Sequence, residues 1–258
     1  MASYKPVEAV LRGLEVLRIL NRSNPATVRA IHWDTGIDKS TIIRMLETLI
    51  HAGYVSHDGV NGTYSVTGRV LQLSTGFIRH DKAAEACAEI LARFRHTYGW
   101  PSDFAIRDDD AMIVVRTSRE SGPFNFNRNP GFRAPILLTS IGKAYLAFCG
   151  PEEADDILSR LAETTPKMPR RQRILKSLDT IRSAGYALMD EGYSQREYKG
   201  TIWAMAVPVW QHGHVYGALN MMFLKQTVTQ QTAIETYLAP LRATAAEIAV
   251  ALSKAGVS

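Results

Sequence analysis

The sequence predicts an α+β protein in two parts: three short helices and a β-hairpin within residues 1–67, then a larger antiparallel sheet with separate helices. Three observations carry that prediction. Apolar residues recur every three or four positions up to about Ala52; two short β-favouring runs then flank Asp58-Gly59 and Asn61-Gly62; and beyond residue 81 helical stretches alternate with strand pairs. At 258 residues and 46% hydrophobic content, the chain is long and apolar enough for one large core or two ordinary ones, which excludes a disordered protein.

In "VEAVLRGLEVLRIL" the residues Val7, Val10, Leu11, Leu14 and Leu17 share one stripe, which predicts a first helix with that stripe on the core. A second short helix starts in "PATVRAIHWD", capped by Thr27. Gly36 turns the chain into a third, from 39 to about 52, capped by Asp38 or Ser40 and closed by Gly53. That third helix has two faces. Ile42, Ile43, Leu46, Leu49 and Ile50 are expected on the core, with Ser40, Thr41, Arg44, Thr48 and His51 opposite. Two short helices joined by a tight glycine turn make a helix-turn-helix, whose second helix enters the major groove of DNA. Strands at 54–56 and 63–66 add a wing.

"GRVLQLSTGFIRHD" is helical by spacing and predicts a connector, which divides the chain into 1–67, a linker helix at 68–81, and 82–258. Beyond it, "DKAAEACAEILARFRHTYG" predicts one helix, and "PSDFAIR" and "AMIVVRTSR" a strand pair around an Asp-rich turn. "TSIGKAYLAFC", "PEEADDILSRL" and "RQRILKSLDTIRSAG" predict helices; "IWAMAVPVW" and "VYGALNMMFL" predict strands around "QHGH", before a long final helix from about Gln230.

A formal charge of +5 permits an acidic partner without demanding one, but residues 1–80 hold nine basic and six acidic side chains. More than half of the net charge therefore lies in less than a third of the chain. Cys87 and Cys149 are the two cysteines and have no metal-ligand spacing, which predicts neither a disulfide framework nor a zinc site. The N-terminal stretch lacks the apolar core of a signal peptide, and a cytoplasmic protein is expected.

With "RGLEVLRIL", "TGIDKSTIIRMLETLIHAGYV" followed by "YSVTGRVLQL", "GFRAPILLTSIGKAYLAF", "AGYALMDEG" and "WAMAVPV" in order, nearly the full chain resembles the IclR family of bacterial transcription regulators. "GWPSDFA", "AFCGPE" and "ALNMM" are most similar to members that respond to phenylpropionate-type aromatic acids. The resemblance implies a winged helix-turn-helix, a linker helix and a C-terminal effector domain with a GAF-like or profilin-like antiparallel sheet. It also implies a dimer or dimer of dimers on a palindromic operator. The implied partners are double-stranded operator DNA, a small carboxylic-acid effector of aromatic type, further copies of the chain and, as an additional option, RNA polymerase; no membrane contact, no cofactor and no catalysis are expected.

For DNA the candidates are Lys39, Ser40, Thr41 and Arg44 on the recognition helix, with Arg12, Thr27 and Arg29 on phosphates. The bland alternative is that Arg12 and Arg29 merely face solvent. For the effector, the N–H groups of Thr139, Ser140 and Ile141 open a helix and could cradle a carboxylate. By position the resemblance adds Leu138, Asp190, Ala204, Asn220 and Met222. Ala204 stands where many members have cysteine, Asn220 and Met222 where some have serine, and Met189 replaces the first acid of an acidic pair, all of which implies a larger, more apolar pocket. Phe126, with Phe124 and Phe132, could stack on an aromatic ligand or be ordinary packing; Arg133 could meet a carboxylate or stabilise its loop.

Gly142-Lys143 lacks the rest of a phosphate-binding loop, His212 to His214 falls in a hairpin turn, and "KMPRRQRILK" and "EEADD" fit solvated helix starts. Two rival readings stay open. One is an effector-independent repressor whose C-terminal part serves only assembly. The other is a small hydrolase using Ser140 or Cys149, for which no nucleophile elbow is present.

Overall fold

The structure is a computed structural model that describes residues 4–74, 78–119, 130–165 and 168–257. By internal packing the chain divides into Met1–Ile78 and Arg79–Ser258.

The first unit is built from α1 (Glu8–Arg22), α2 (Val28–Thr35), α3 (Lys39–His51) and the hairpin β1 (Val55–Asp58) and β2 (Thr63–Val66). Local chemistry sets its corners. Thr27 Oγ1 accepts from the Ala30 N–H at 3.2 Å to start α2, and Asp38 accepts from the Ser40 N–H at 2.9 Å to start α3. Gly36 and Gly53 take the left-handed backbone their turns require, at φ 68° and 79°. The antiparallel hairpin pairs Val55 with Val66.

The core of this unit joins Val16, Leu17, Ile19 and Leu20 of α1 to Ile31, Ile42, Leu46 and Val55. The expected α1 stripe is corrected: Val7, Val10, Leu11 and Leu14 are 65, 57, 51 and 58% exposed, and of that stripe Leu17 alone is buried. The first two turns of α1 extend past the elements that cover its end. On α3 the buried side runs through Ile42, Met45, Leu46 and Leu49, so Ile43 and Ile50, expected inside, lie off the stripe and are exposed.

The connector differs from a single helix over 68–81. It begins as a 3-10 helix, Gly68–Leu73, whose cap Thr67 accepts from Arg69 N–H while donating to the Gly53 carbonyl at 2.6 Å. An α-helix, α4 (Ile78–Ala86), then runs past residue 81 and breaks at Cys87, where φ −102° and ψ 0° interrupt the one helix expected over 81–99; α5 (Ala88–Tyr98) follows.

The second unit is a six-stranded antiparallel sheet in the order β5-β4-β3-β8-β7-β6, from β3 (Asp103–Asp108), β4 (Ala111–Thr117), β5 (Arg133–Pro135), β6 (Ala187–Leu188), β7 (Ile202–Gln211) and β8 (His214–Leu224). Strand alternation divides its residues between two faces. Phe104, Met205, Val207, Leu219, Met221 and Phe223 pack with α5 and α10 (Gln230–Lys254) on one. Ala105, Ala206 and Ala218 are small enough on the other to admit α6 (Ser140–Phe148), which packs with α7 (Pro151–Thr164) and α8 (Arg171–Ala184). Gly142 is obligatory there, since a Cβ would overlap the Ile136 backbone at under 3.0 Å. A short helix, α9 (Glu191–Tyr198), ends the β6 connection.

Candidate functional site

Two regions hold the sequence-predicted residues, one in each unit.

In the first unit Arg12, Thr27, Arg29, Lys39, Ser40 and Arg44 are exposed and Thr41 is half-buried. Their charges are available. Arg18 pairs with Glu15 and Arg22 with Asp34, at 2.5 and 2.8 Å, whereas among the described residues no ion pair engages Arg12, Arg29, Lys39 or Arg44. The hydroxyls are partly committed. Ser40 Oγ donates to Asp38 at 2.5 Å, and the two bonds from Ser40 hold the Asp38 carboxyl below the usual carboxylate range, so an anionic cap stands at the start of α3. Thr48 donates to the Arg44 carbonyl. The wing carries no Lys or Arg between Val55 and Val66; its His57 ring stacks on Tyr64 at 4.4 Å. Cationic contact in this unit thus comes from the helices.

In the second unit the effector candidates lie on the α6 side of the sheet. Ala204 faces Met222 and Ala206 faces Asn220 across β7 and β8. Ala204 and Met222 cluster with Met189, Tyr193 and Ile202, and Leu138 packs against them. The Asp190 N–H donates to the Leu138 carbonyl at 2.9 Å, tying the start of α9 to the approach to α6, and the Asp190 carboxylate caps α9 through Tyr193 N–H at 2.9 Å. Thr139 caps α6: its Oγ1 accepts from Gly142 N–H and donates to the Pro135 carbonyl, which also takes the Thr139 N–H at 3.1 Å. The expected three-donor cradle is therefore reduced to the N–H groups of Ser140 and Ile141. Ser140 is buried.

Asn220 has a different occupation from the one expected. Its Oδ1 accepts the Asp103 N–H at 2.7 Å and its Nδ2 donates to Asp103 Oδ2 at 3.3 Å, so one end of the amide holds the backbone of Asp103 and the other its buried carboxylate. That carboxylate also accepts from Thr117 Oγ1 at 2.8 Å and from Arg119 Nε and Nη2 at 3.2 and 2.8 Å. Arg119 Nη2 in turn touches Met222 Sδ. Asp103 and Arg119 are thus neighbours of the candidate site that sequence reasoning missed, since no local signal pairs Asp103 with a guanidinium 16 positions on. Lys143 was passed over with its glycine. Its Nζ donates to the Leu188 carbonyl at 3.1 Å, and burial pushes its pKa down against the opposing pull of Asp190.

Phe124 and Phe126 lie outside the described residues. Phe132 packs against the α6-side core. Arg133 bridges Asp108 and Asp110, which is the loop-stabilising role of its two alternatives. Cys149, the nucleophile of the hydrolase reading, is a buried thiol pushed up to about 12, first by burial and then by Glu153, and so is a poor nucleophile. Among the described residues no helix is long and apolar enough to cross a membrane.

A winged helix-turn-helix with exposed cations, followed in the chain by a helix-flanked antiparallel sheet, fits a DNA-binding transcription regulator with a second, separate unit. Comparison with known proteins supplies the family. Residues 9–59 match the IclR helix-turn-helix domain and residues 77–250 match the description "Bacterial transcriptional regulator IclR C-terminal". The chain belongs to the IclR family. It is similar to the HTH-type transcriptional regulator XynR of Escherichia coli, 25% identical over 255 residues that cover 96% of this chain and 97% of that one. The Pca regulon regulatory protein of Pseudomonas putida is 24% identical over 246 residues, 93% of this chain and 82% of that one. An IclR homolog from Microbacterium hydrocarbonoxydans, solved in complex with 4-hydroxybenzoate, shares the fold at TM-score 0.65 with 18% identity, covering 95% of this chain and 99% of that chain. These relatives are regulators of transcription, not enzymes.

Proposed function

We propose that this regulator's operator binding is controlled by a small aromatic carboxylic acid of a catabolic pathway. The α6-side face of the sheet is the reading's main support: Leu138, Met189, Tyr193, Ala204 and Met222 make an apolar cluster next to two backbone donors at the start of a helix. An apolar body with one acidic end has the matching chemistry. A relative in complex with 4-hydroxybenzoate, and another named for the Pca regulon, are consistent with that class. Leu138, Thr139, Ser140, Asp190, Ala204 and Met222 form the proposed wall, with Phe126 added on sequence grounds; Asn220 acts through Asp103. The ligand favours one arrangement of the effector units and so biases the spacing of the paired recognition helices. Residues 68–81 serve as the connector in this scheme, and the protein works in the cytoplasm.

Arg44 is proposed to read a base edge, Lys39, Ser40 and Thr41 to assist, and Arg12, Thr27 and Arg29 to hold phosphates. A second copy of the chain is proposed to cover the exposed α1 stripe of Val7, Val10, Leu11 and Leu14, whose i, i+3, i+4, i+7 spacing suits helix pairing.

Isothermal calorimetry of the full chain with 4-hydroxybenzoate, 3-phenylpropionate, pyruvate and glyoxylate tests the effector reading. Saturable heat with an aromatic acid, lost in Ala204→Phe, is expected. Silence across the panel would favour the effector-independent repressor.

A further inference from the structure

The second unit has a basic cleft that the proposed effector face does not use. It lies between α5 and the outer end of β4 and encloses about 410 Å³, within the range of small-molecule sites. Ala88 and Ala92 keep the first turns of its α5 side free of long side chains. Among the described residues, every titratable side chain that lines it is basic: Arg95, His96, Arg116 and Arg119. Arg95 and His96 sit in the last turn of α5, where the helix end contributes about half a negative charge. Asp103 offsets Arg119, but Arg95 and Arg116 together still outweigh the helix end, so among the described residues the charge around the cleft is net positive.

The three arginines are differently committed. Arg95 donates to the Gly99 carbonyl. Arg119, with a side chain only 8% exposed, holds Asp103. Arg116 is exposed, and among the described residues no ion pair engages it. Arg119 therefore lines the cleft while its Nε and Nη2 hold the Asp103 carboxylate, which is bonded to Asn220.

We propose that this cleft is a second anion site, which takes a small metabolite carrying two or more negative charges, phosphorylated or polycarboxylic, with Arg116 as its principal anchor and Arg119 as its link to the opposite face of the sheet. A bound dianion attracts Arg119 outward and weakens its hold on Asp103, and this loosens the Asp103–Asn220 pair and the Arg119 contact with Met222. The link, though not the anion site itself, rests on the effector reading given above. By linkage the two ligands change each other's affinity by the same factor.

Calorimetry of the full chain with citrate and, separately, inorganic phosphate, at ionic strength held constant with sodium chloride, tests the site. One saturable event per chain is expected for at least one of the two, and which of them binds identifies the polycarboxylate or phosphate subclass. Arg116→Gln should weaken it by about tenfold or more, the loss of a charge-assisted contact. Ala92→Glu, which adds a carboxylate at an exposed position of α5, should abolish it, and Arg133→Gln, a guanidinium paired elsewhere, should leave it unchanged. No heat above the chloride control, or equal affinity in Arg116→Gln, overturns the proposal. Failure of every aromatic acid to bind leaves this outcome untouched, so the two readings fail separately. If both ligands bind, equal affinities for 4-hydroxybenzoate with and without citrate would refute the link.

Discussion

Removing one partner of the Asp103–Arg119 pair should cost far more than removing both. The Asp103 carboxylate is fully buried and the Arg119 side chain nearly so, and water screens neither charge appreciably. Arg119→Met deletes the bonds at 3.2 and 2.8 Å and leaves a buried carboxylate with Thr117 at 2.8 Å and Asn220 at 3.3 Å. Stranding a buried charge in this way costs about 3–5 kcal/mol. For a unit of this size that corresponds to a fall in Tm of roughly 6–20 °C, at about 2–4 °C per kcal/mol. Asp103→Asn combined with Arg119→Met removes both charges, keeps an acceptor for Thr117, and should recover most of the loss. Urea unfolding read by fluorescence of Trp100 and Trp203, both in the sheet unit, gives the cycle; the two indoles donate to Tyr237 Oη and the Val228 carbonyl in the folded state. An Arg119→Met variant within about 1 kcal/mol of wild type, or a double variant no better than the sum of the singles, would refute the reasoning.

Gly142→Ala should destabilise the sheet unit by about 1–3 kcal/mol, despite alanine's better helix propensity, because the new methyl meets backbone that cannot rotate away; equal stability in urea would show that α6 has room to shift. Lys143 binds its proton less tightly folded than unfolded, so wild-type stability should rise with pH from the lowered folded value up to about 10.5, the penalty on the charged form being complete below that window and gone above it. Lys143→Met should lose that slope, and identical pH–stability curves would contradict the assignment. Both thiols are buried and pushed up to about 12, which leaves roughly one thiolate in 10⁴ at pH 8. Native protein should therefore react slowly with a disulfide reagent and release two thiols per chain only on unfolding; rapid native labelling would show that one of them opens.

The parts of the fold that were legible in sequence are those fixed by neighbouring residues. Thr27, Gly36, Asp38 and Gly53 act within a few positions of themselves, and their caps and turns stand where the sequence puts them. Periodicity reveals that α1 and α3 are two-faced but not how far the partner extends, which is why Val7 to Leu14 and Ile43 were assigned to a core that ends before reaching them. Three- and two-residue strands such as β5 and β6 are too short to show a period, and "EGYSQREY" of α9 has little apolar pattern to show. At the candidate effector face, the positions that the family resemblance supplies, Leu138, Ala204 and Met222, do fall in one cluster. The engagement of Asn220 by Asp103, 117 positions away, depends on strand order and was not readable. Lys143 escaped notice because its role is a bond to the Leu188 carbonyl across the fold.

The measurement closest to the core of this account is equilibrium binding of the full chain to its own upstream promoter DNA across a salt series, for wild type and Arg44→Ala. The exposed cations of the winged helix, which no ion pair engages among the described residues, predict a preference for that DNA over random duplex, an affinity that falls steeply with salt, and a loss of about 5- to 150-fold in Arg44→Ala, equivalent to 1–3 kcal/mol. Binding that is indifferent to sequence and salt, and unchanged by Arg44→Ala, would contradict it.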